Sequence, residues 1–360
     1  MRGKKNIDAA KIAQLAGVSR ATVSRVVNNY AFVKPTTRKR VLEVIERYAY
    51  SPNFSAQILA GKRSKTIGLF HLVAKRFEPH SRLEDTHINF MTEQIINTAT
   101  LGGSYTLVHQ VSDVNDASEK KKIMDMFHQK RIDAGIFMGF PNSCELIEEL
   151  VAYGFVIGVF NQHRPDKTEP NRVVVRLDYS SIATSVAYAV SLGHKRIMFI
   201  GADMLNLVGL DVFRIFSEAM AKYRLPIRLG SILCAQALAR TPAAEAFSTF
   251  MEARAPDQPL PTCIICGNDI MAFGVIDALR RYGLDSPRDM AIIGSDDILV
   301  SQYFTPPLTT MRYDFDGMMK TLTLKVLEYV EKPLATQFVK TYSGEIVIRE
   351  SCRASLSKAP

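Results

Sequence analysis

The chain has 360 residues, 47% of them apolar and 22% charged, enough material for two or three packed domains. That balance excludes a disordered, collagen-like or mucin-like polypeptide, and five scattered cysteines exclude a disulfide-stapled one. The net charge of +9 has one source: residues 1–65 hold 14 Lys+Arg against 3 Asp+Glu, and the remainder holds 31 against 33. A basic module joined to a nearly neutral body is the footprint of a polyanion binder, with nucleic acid the first expectation and an anionic membrane surface the second.

The start, MRGKKNIDAAK, has no apolar stretch behind its basic residues and does not read as a secretory signal. No segment approaches the roughly 18 apolar residues of a membrane span. With free thiols expected, the predicted location is the cytoplasm, at the nucleoid.

In chain order, KIAQLAG carries Ile12, Ala13, Leu15 and Ala16 and ends at Gly17, and Ser19 stands as the N-cap of a second helix, VSRATVSRVVNN. After YAFVKPT, the segment TRKRVLEVIERYAY repeats Val41, Val44, Ile45 and Tyr48 at helical spacing until Pro52. Three short helices with a glycine turn between the first two predict a helix-turn-helix headpiece over 1–52. In such a unit the second helix enters the major groove N-terminus first. The expected DNA contacts are therefore Ser19, Arg20, Ala21, Thr22, Ser24, Arg25 and Asn28, joined by Thr37, while Val23, Val26 and Val27 face the core. Arg20 and Arg25 suit guanine O6 and N7, the hydroxyls suit phosphates, and the Ala21 methyl suits a thymine methyl. The competing reading is a solvated helical face in a small bundle.

From Lys65 the pattern becomes βα alternation. Ten apolar runs, from KTIGLF to TTMRYD, read as buried strands, with 12 to 18 residues of helical periodicity between most of them. The predicted fold adds to the headpiece an α/β regulatory domain over 65–352, made of two doubly wound parallel-sheet subdomains. Their expected extents are 65–175 with 312–338, and 176–311 with 339–352, leaving 353–360 as a tail. A ligand belongs in the cleft outside the carboxyl ends of the strands.

Cys263 and Cys266 lie three apart on a strand and so point to opposite faces, as packing thiols rather than metal ligands. No nucleophile elbow, phosphate loop, dinucleotide fingerprint or zinc-protease motif occurs, and the seven histidines do not cluster with carboxylates. No enzyme activity, metal or cofactor is expected. His194, between a helix end and a strand, reads as a structural cap.

The segments KIAQLAGVSRATVSRVVNN, VKPTTRKRV and YSPN closely resemble the headpiece of the LacI/GalR family of bacterial repressors. FSAQILAGKRSKTIGL resembles that family's hinge, and LGHKRIMFIGA, CGNDIMAFGVIDAL, DMAIIGSDD, FTPPLTTMRYDF and GEIVIRES extend the match over nearly the whole chain. The resemblance implies a periplasmic-binding-protein-like regulatory domain and a homodimer on a pseudo-palindromic operator of double-stranded DNA. It implies a hinge over 53–64 that becomes helical on DNA, with Leu59 wedged into the minor groove and Ala56 beside it. The plainer reading of Leu59 is a linker residue packed on its own domain.

The resemblance also assigns Asn268 and Asp296 to polar contacts with a small-molecule, carbohydrate-like effector, Phe315 to its apolar face, and Asn161 to a position where an acid is usual. Asn and Asp at strand ends also serve as turn formers and N-caps, roles open equally to Asp269 and Asp297. Val212 stands where many sugar-responsive members carry an arginine, so the usual clamp on vicinal hydroxyls or an anion is missing. Arg76 or Arg82, in a long segment after the first strand, offers another cation. The chain runs about ten residues past IRES without a leucine heptad, so a family-type tetramerising tail is not expected. Three rivals remain at this point: a periplasmic-type binding protein, an enzyme on the same fold, and a regulator with a vestigial cleft governed by a protein partner.

Overall fold

The computed structural model describes residues 7–51, 58, 61–73, 82–162, 168–202, 207–228, 230–333 and 335–352. The chain divides into two compact units, one up to Ser64 and one from Lys65 onward. The expected hinge residues Ala56 and Leu59 lie outside the described residues.

The first unit contains α1 (Ala9–Ala16), α2 (Arg20–Val27) and α3 (Pro35–Arg47). Ile12, Ala13, Ala16, Val23, Val26 and Val41 form its core, with Val27, Val44, Ile45 and Tyr50 packed around them. Two residues of the apolar patterns read in the sequence stay outside that core: Leu15 and Tyr48 are exposed. An eight-residue helix buries only a narrow stripe, which Ile12, Ala13 and Ala16 fill. Tyr48 follows the last residue of α3, and the left-handed Ala49 (φ 49°) turns the chain so that Tyr50 returns to the core instead.

The second unit contains two six-stranded sheets. The first holds β1 (Thr66–Leu72), β2 (Tyr105–Val111), β3 (Ala134–Met138), β4 (Val156–Phe160), β5 (Arg172–Leu177) and β11 (Phe338–Tyr342), in the order β11-β5-β4-β3-β1-β2. The second holds β6 (Ile197–Ala202), β7 (Ile232–Ala235), β8 (Cys263–Cys266), β9 (Ala291–Asp296), β10 (Thr309–Arg312) and β12 (Glu345–Val347), in the order β12-β10-β9-β8-β6-β7. All neighbours are parallel except β10 and β12.

Buried on both faces, the central strands are runs of apolar residues such as AGIFM and CIIC. On the first sheet, α4 (Arg82–Leu101) and α11 (Phe315–Glu331) cover one face, and α5 (Ala117–His128) and α6 (Glu145–Ala152) cover the other. On the second, α7 (Ser181–Ser191) and α8 (Leu207–Lys222) oppose α9 (Arg240–Ala253) and α10 (Asp269–Arg281).

The chain passes between the sheets after β5, β10 and β11. The last passage falls at Ser343–Gly344, a few residues later than the sequence boundary at 338/339, because Phe338–Tyr342 pairs with β5 in register from Phe338↔Val173 to Tyr342↔Leu177. This strand and β12 were not among the ten expected. Both lie at sheet edges with mixed burial, so they lack a continuous apolar run.

Candidate functional site

The turn that sets α2 against α1 is local in origin. Gly17 adopts the left-handed conformation (φ 62°), and its N–H donates to the Ala13 and Gln14 carbonyls. Ser19 Oγ then accepts from the Thr22 amide (3.1 Å) and shares a hydrogen bond with Thr22 Oγ1 (2.9 Å), starting α2. Burial of Val23 and Val26 turns Arg20, Ala21, Ser24 and Arg25 to solvent. Neither arginine has a carboxylate partner among the described residues.

Asn28 closes the helix, its Nδ2 donating to Ser24 Oγ (3.3 Å), while its buried Oδ1 has no partner. Arg38 of α3 donates to Asn29 Oδ1 (2.6 Å) and to the Tyr30 carbonyl, tying the loop after α2 to the next helix. Thr37, in the first turn of α3, is half-buried. Ser19, Thr22, Ser24 and Asn28 thus have internal hydrogen bonds, whereas Arg20 and Arg25 are uncommitted cations.

In the second unit a cavity of about 1210 Å³ opens between the two sheets, bounded by residues at or just past strand carboxyl ends: Leu72, Met138, Asn161, Ala202, Asn268 and Asp296. Asn268 caps a helix and also lines the cavity. Its Oδ1 caps α10 by accepting from Met271 N (2.8 Å), its Nδ2 donates to the Leu238 carbonyl (3.2 Å), and one N–H remains for the cavity. Asn161 is left-handed (φ 59°) and spans the first passage between sheets, accepting from Leu177 N (3.2 Å) and donating to Tyr179 Oη (2.7 Å).

Phe315, buried at the first turn of α11, sits in a chain of rings: His87 at 4.3 Å, Tyr313 at 5.9 Å and Phe160 at 6.3 Å between centroids. Val212 lines the cavity and also packs in the core with Phe199 and Phe216. Arg76 lies outside the described residues, as does the side chain of Arg82.

Asp296 ends β9 with φ 108°, a conformation L-residues rarely take, and its carboxyl faces the cavity. Burial, reinforced by Asp269, raises its pKa well above the carboxylate range. Asp269, fully buried behind it, accepts from Ser301 Oγ, from Thr310 Oγ1 and from the Ile298 amide (3.0 Å). Burial nevertheless pushes its pKa up to about 7. Asp297 is ion-paired with Arg312 (2.6 Å) and Arg349 (2.6 Å). These ties pin the Asp296–Ser301 segment to α10 and β10. No group of three or more His, Cys, Asp or Glu suited to a metal ion occurs among the described residues.

Comparison with known proteins places both regions in one family. Residues 10–53 match the model of bacterial regulatory proteins of the lacI family, and residues 186–352 match the periplasmic binding protein-like domain. The chain is 30% identical over 356 residues to catabolite control protein A of Priestia megaterium, covering 97% of this chain and 100% of the relative. The chain belongs to the LacI family. It is a DNA-binding transcriptional repressor by that membership, and one curated relative, 28% identical over 347 residues with 95% of this chain and 97% of the relative covered, is the HTH-type transcriptional repressor PurR of Vibrio parahaemolyticus. Another is the probable repressor ExuR of Bacillus subtilis, 29% identical over 352 residues, with 95% of this chain and 97% of the relative covered.

The fold is that of the lac repressor dimer bound to operator and the anti-inducer ONPF, with TM-score 0.76, 22% identity, and 97% and 100% of the two chains covered. The regulator CelR in complex with cellobiose is similar at TM-score 0.69 and 19% identity, with 96% and 99% covered.

Within this LacI-family cavity, sequence reasoning missed Tyr179, Tyr313, Ser181, His71 and His87. The Ser181 and Tyr313 hydroxyls are hydrogen-bonded across two of the passages between sheets. His71 Nε2 pairs with Thr92 Oγ1 (3.2 Å), and burial lowers the pKa of His71 and takes that of His87 down to about 4. Tyr179 and Tyr313 follow strands within two residues, a placement that was available as a signal; His87, on a helix, offered none.

His194 departs from expectation, since its backbone amide bonds to the Ala189 carbonyl (3.1 Å) while both buried ring nitrogens lack partners among the described residues. The side chain does not cap. Cys263 and Cys266 are fully buried thiols whose pKa values burial raises. No helix among the described residues is long and apolar enough to cross a membrane.

Proposed function

We propose that this repressor acts in the cytoplasm as a homodimer on a pseudo-palindromic operator, and that a carbohydrate-like small molecule in the cleft sets its DNA affinity. The observation that carries the DNA half is the solvent-facing, carboxylate-free pair Arg20 and Arg25 on a helix fixed by its own cap and core. Ser19, Ala21, Thr22, Ser24, Asn28 and Thr37 position the helix or contact phosphate and sugar, and the arginines read base edges. Leu59 and Ala56 fill the minor groove at the operator centre.

The cavity supports the ligand half, because polar Asn268 and Asp296 line it together with Phe315, with Asn161 at the passage between sheets. The complex of CelR with cellobiose supports a ligand in a cleft of this fold. Ligand binding alters the angle between the two sheets and thereby the spacing of the hinges, a coupling of about 1–3 kcal/mol. With Val212 in place of an arginine, phosphorylated sugars and plain hexoses bind poorly.

The test is operator binding by fluorescence anisotropy in the presence of mono- and disaccharides, sugar phosphates and nucleosides, for the wild type and Asp296→Ala. The expected result is one ligand class that shifts operator affinity about 5- to 150-fold, a shift lost in the variant. If no compound shifts affinity and Asp296→Ala behaves as wild type, the cleft is vestigial and control lies with a protein partner.

A further inference from the structure

Apart from the Arg240–Asp277 pair and Arg281, no described lysine or arginine lines the cleft. Arg240 binds Asp277 through Nε (2.7 Å) and NH2 (2.6 Å) and lies over the Phe304 ring. Arg281 belongs to the last turn of α10. At about 1.5 Å per residue it stands about 18 Å along the axis from the end of the helix that touches the Asp296 segment. At Asp296 itself the charge that acts on the carboxyl is the negative one of Asp269. The Asp296 charge opposes ionisation of Tyr179 and Tyr313, which line the same cavity, and Tyr313 leads to Phe315, Phe160 and His87 through ring contacts. Among the described residues, no hydrogen-bond donor and no cation meets the Asp296 carboxyl. The neighbouring arginines 312 and 349 are committed to Asp297.

A carboxyl that no described donor or cation meets, in a cavity lined by aromatic rings, has the composition of a site for an organic cation. The ring quadrupoles and the carboxylate both attract positive charge, and both repel an anion. We infer that the cleft selects a small ligand bearing an ammonium group, seated between Asp296 and the rings of Tyr179, Tyr313 and Phe315. This rests on the effector reading above and narrows it: Val212 does not merely remove a clamp but leaves the pocket with the opposite charge preference. The raised pKa of Asp296 accords with this, since an incoming cation restores ionisation that burial opposes.

Two matched probe pairs differ only by ammonium for hydroxyl: ethanolamine against ethylene glycol, and glucosamine against glucose. Binding to the full chain is read from the ring resonances of tyrosine-labelled protein, with calorimetry for the sugars, at neutral pH. Each amine should bind about tenfold more tightly than its alcohol. Asp296→Asn should reduce that preference to within about twofold, and Val212→Arg, which places a cation at the cavity wall, should abolish it even if Asp296→Asn does not fold.

Equal binding within each pair, or a preference that survives in folded Asp296→Asn or in Val212→Arg, overturns the assignment. If a neutral ligand other than a plain hexose shifts operator affinity while amines gain nothing, the effector reading stands and only the charge assignment fails.

Discussion

On α2 the two arginines stand in water with no carboxylate beside them, whereas in the cleft wall Asp269 is enclosed and both of its oxygens accept hydrogen bonds. Charge on the headpiece is left free for a polyanion outside the protein. Charge in the cleft is spent on the wall itself, except at Asp296. The first arrangement costs little to build, because exposed cations remain hydrated, and its strength depends on salt. The second depends on burial, and its failure is felt as instability.

Ionic strength gives the largest expected effect. Raising salt from about 50 to about 200 mM should weaken operator binding on the order of a thousandfold, as for a protein neutralising six or more phosphates. Anisotropy across a salt series measures the slope, and a nearly flat one would mean that the headpiece charge is not used on DNA. The same salt change should leave the stability of the unit from Lys65 onward nearly unaltered.

Next in size is Asp269→Ala. Removing the carboxyl strands the Ser301 and Thr310 hydroxyls and the Ile298 amide, at a cost of about 3 kcal/mol in denaturant unfolding of the full chain. A loss below about 1 kcal/mol would show that the wall does not depend on this residue.

A smaller effect is read by pH within the cleft unit. His87 titrates near 4 in the folded cleft against an ordinary 6.5. The unfolded chain therefore binds more protons in that window, and stability falls as pH drops from 6.5 to 4. Asp269 acts oppositely: its pKa of about 7 means the fold holds a proton the unfolded chain releases, and that contribution is lost as pH rises through 7. His87→Phe keeps a ring against Phe315 and should flatten the acid limb by about 2 kcal/mol, read from unfolding at a series of pH values. An unchanged limb would place the proton elsewhere.

The smallest effect returns to the headpiece. Ser19→Ala removes the cap of α2 and should lower protection of its amides against hydrogen exchange by about 1 kcal/mol. No change would mean that packing of Val23 and Val26 alone holds the helix.

The same contrast governs what the sequence disclosed. The headpiece is local, so Gly17, Ser19 and the valine spacing were enough to orient Arg20 and Arg25; Leu15 and Tyr48, of the same apolar patterns, stay exposed at the margins of short helices. The buried strands were legible as apolar runs, while β11 and β12 were hidden because an edge strand such as FVKTY needs only one packed face. In the cleft, Asn268, Asp296, Asn161 and Phe315 were found at strand ends or through resemblance, and all four line the cavity. The ring chain unites residues from opposite ends of the unit, and the Asp269 ties reach residues 29 to 41 positions away. Tertiary packing alone brings them together.

The most direct test is selection of bound sites from random DNA by the wild type and by Arg20→Ala. The wild type should enrich two inverted half-sites, and the variant should relax the base preference at one symmetric pair of positions, at a cost of about 1–3 kcal/mol per half-site. An unchanged motif with Arg20→Ala would contradict the assignment of α2 as the helix that reads DNA.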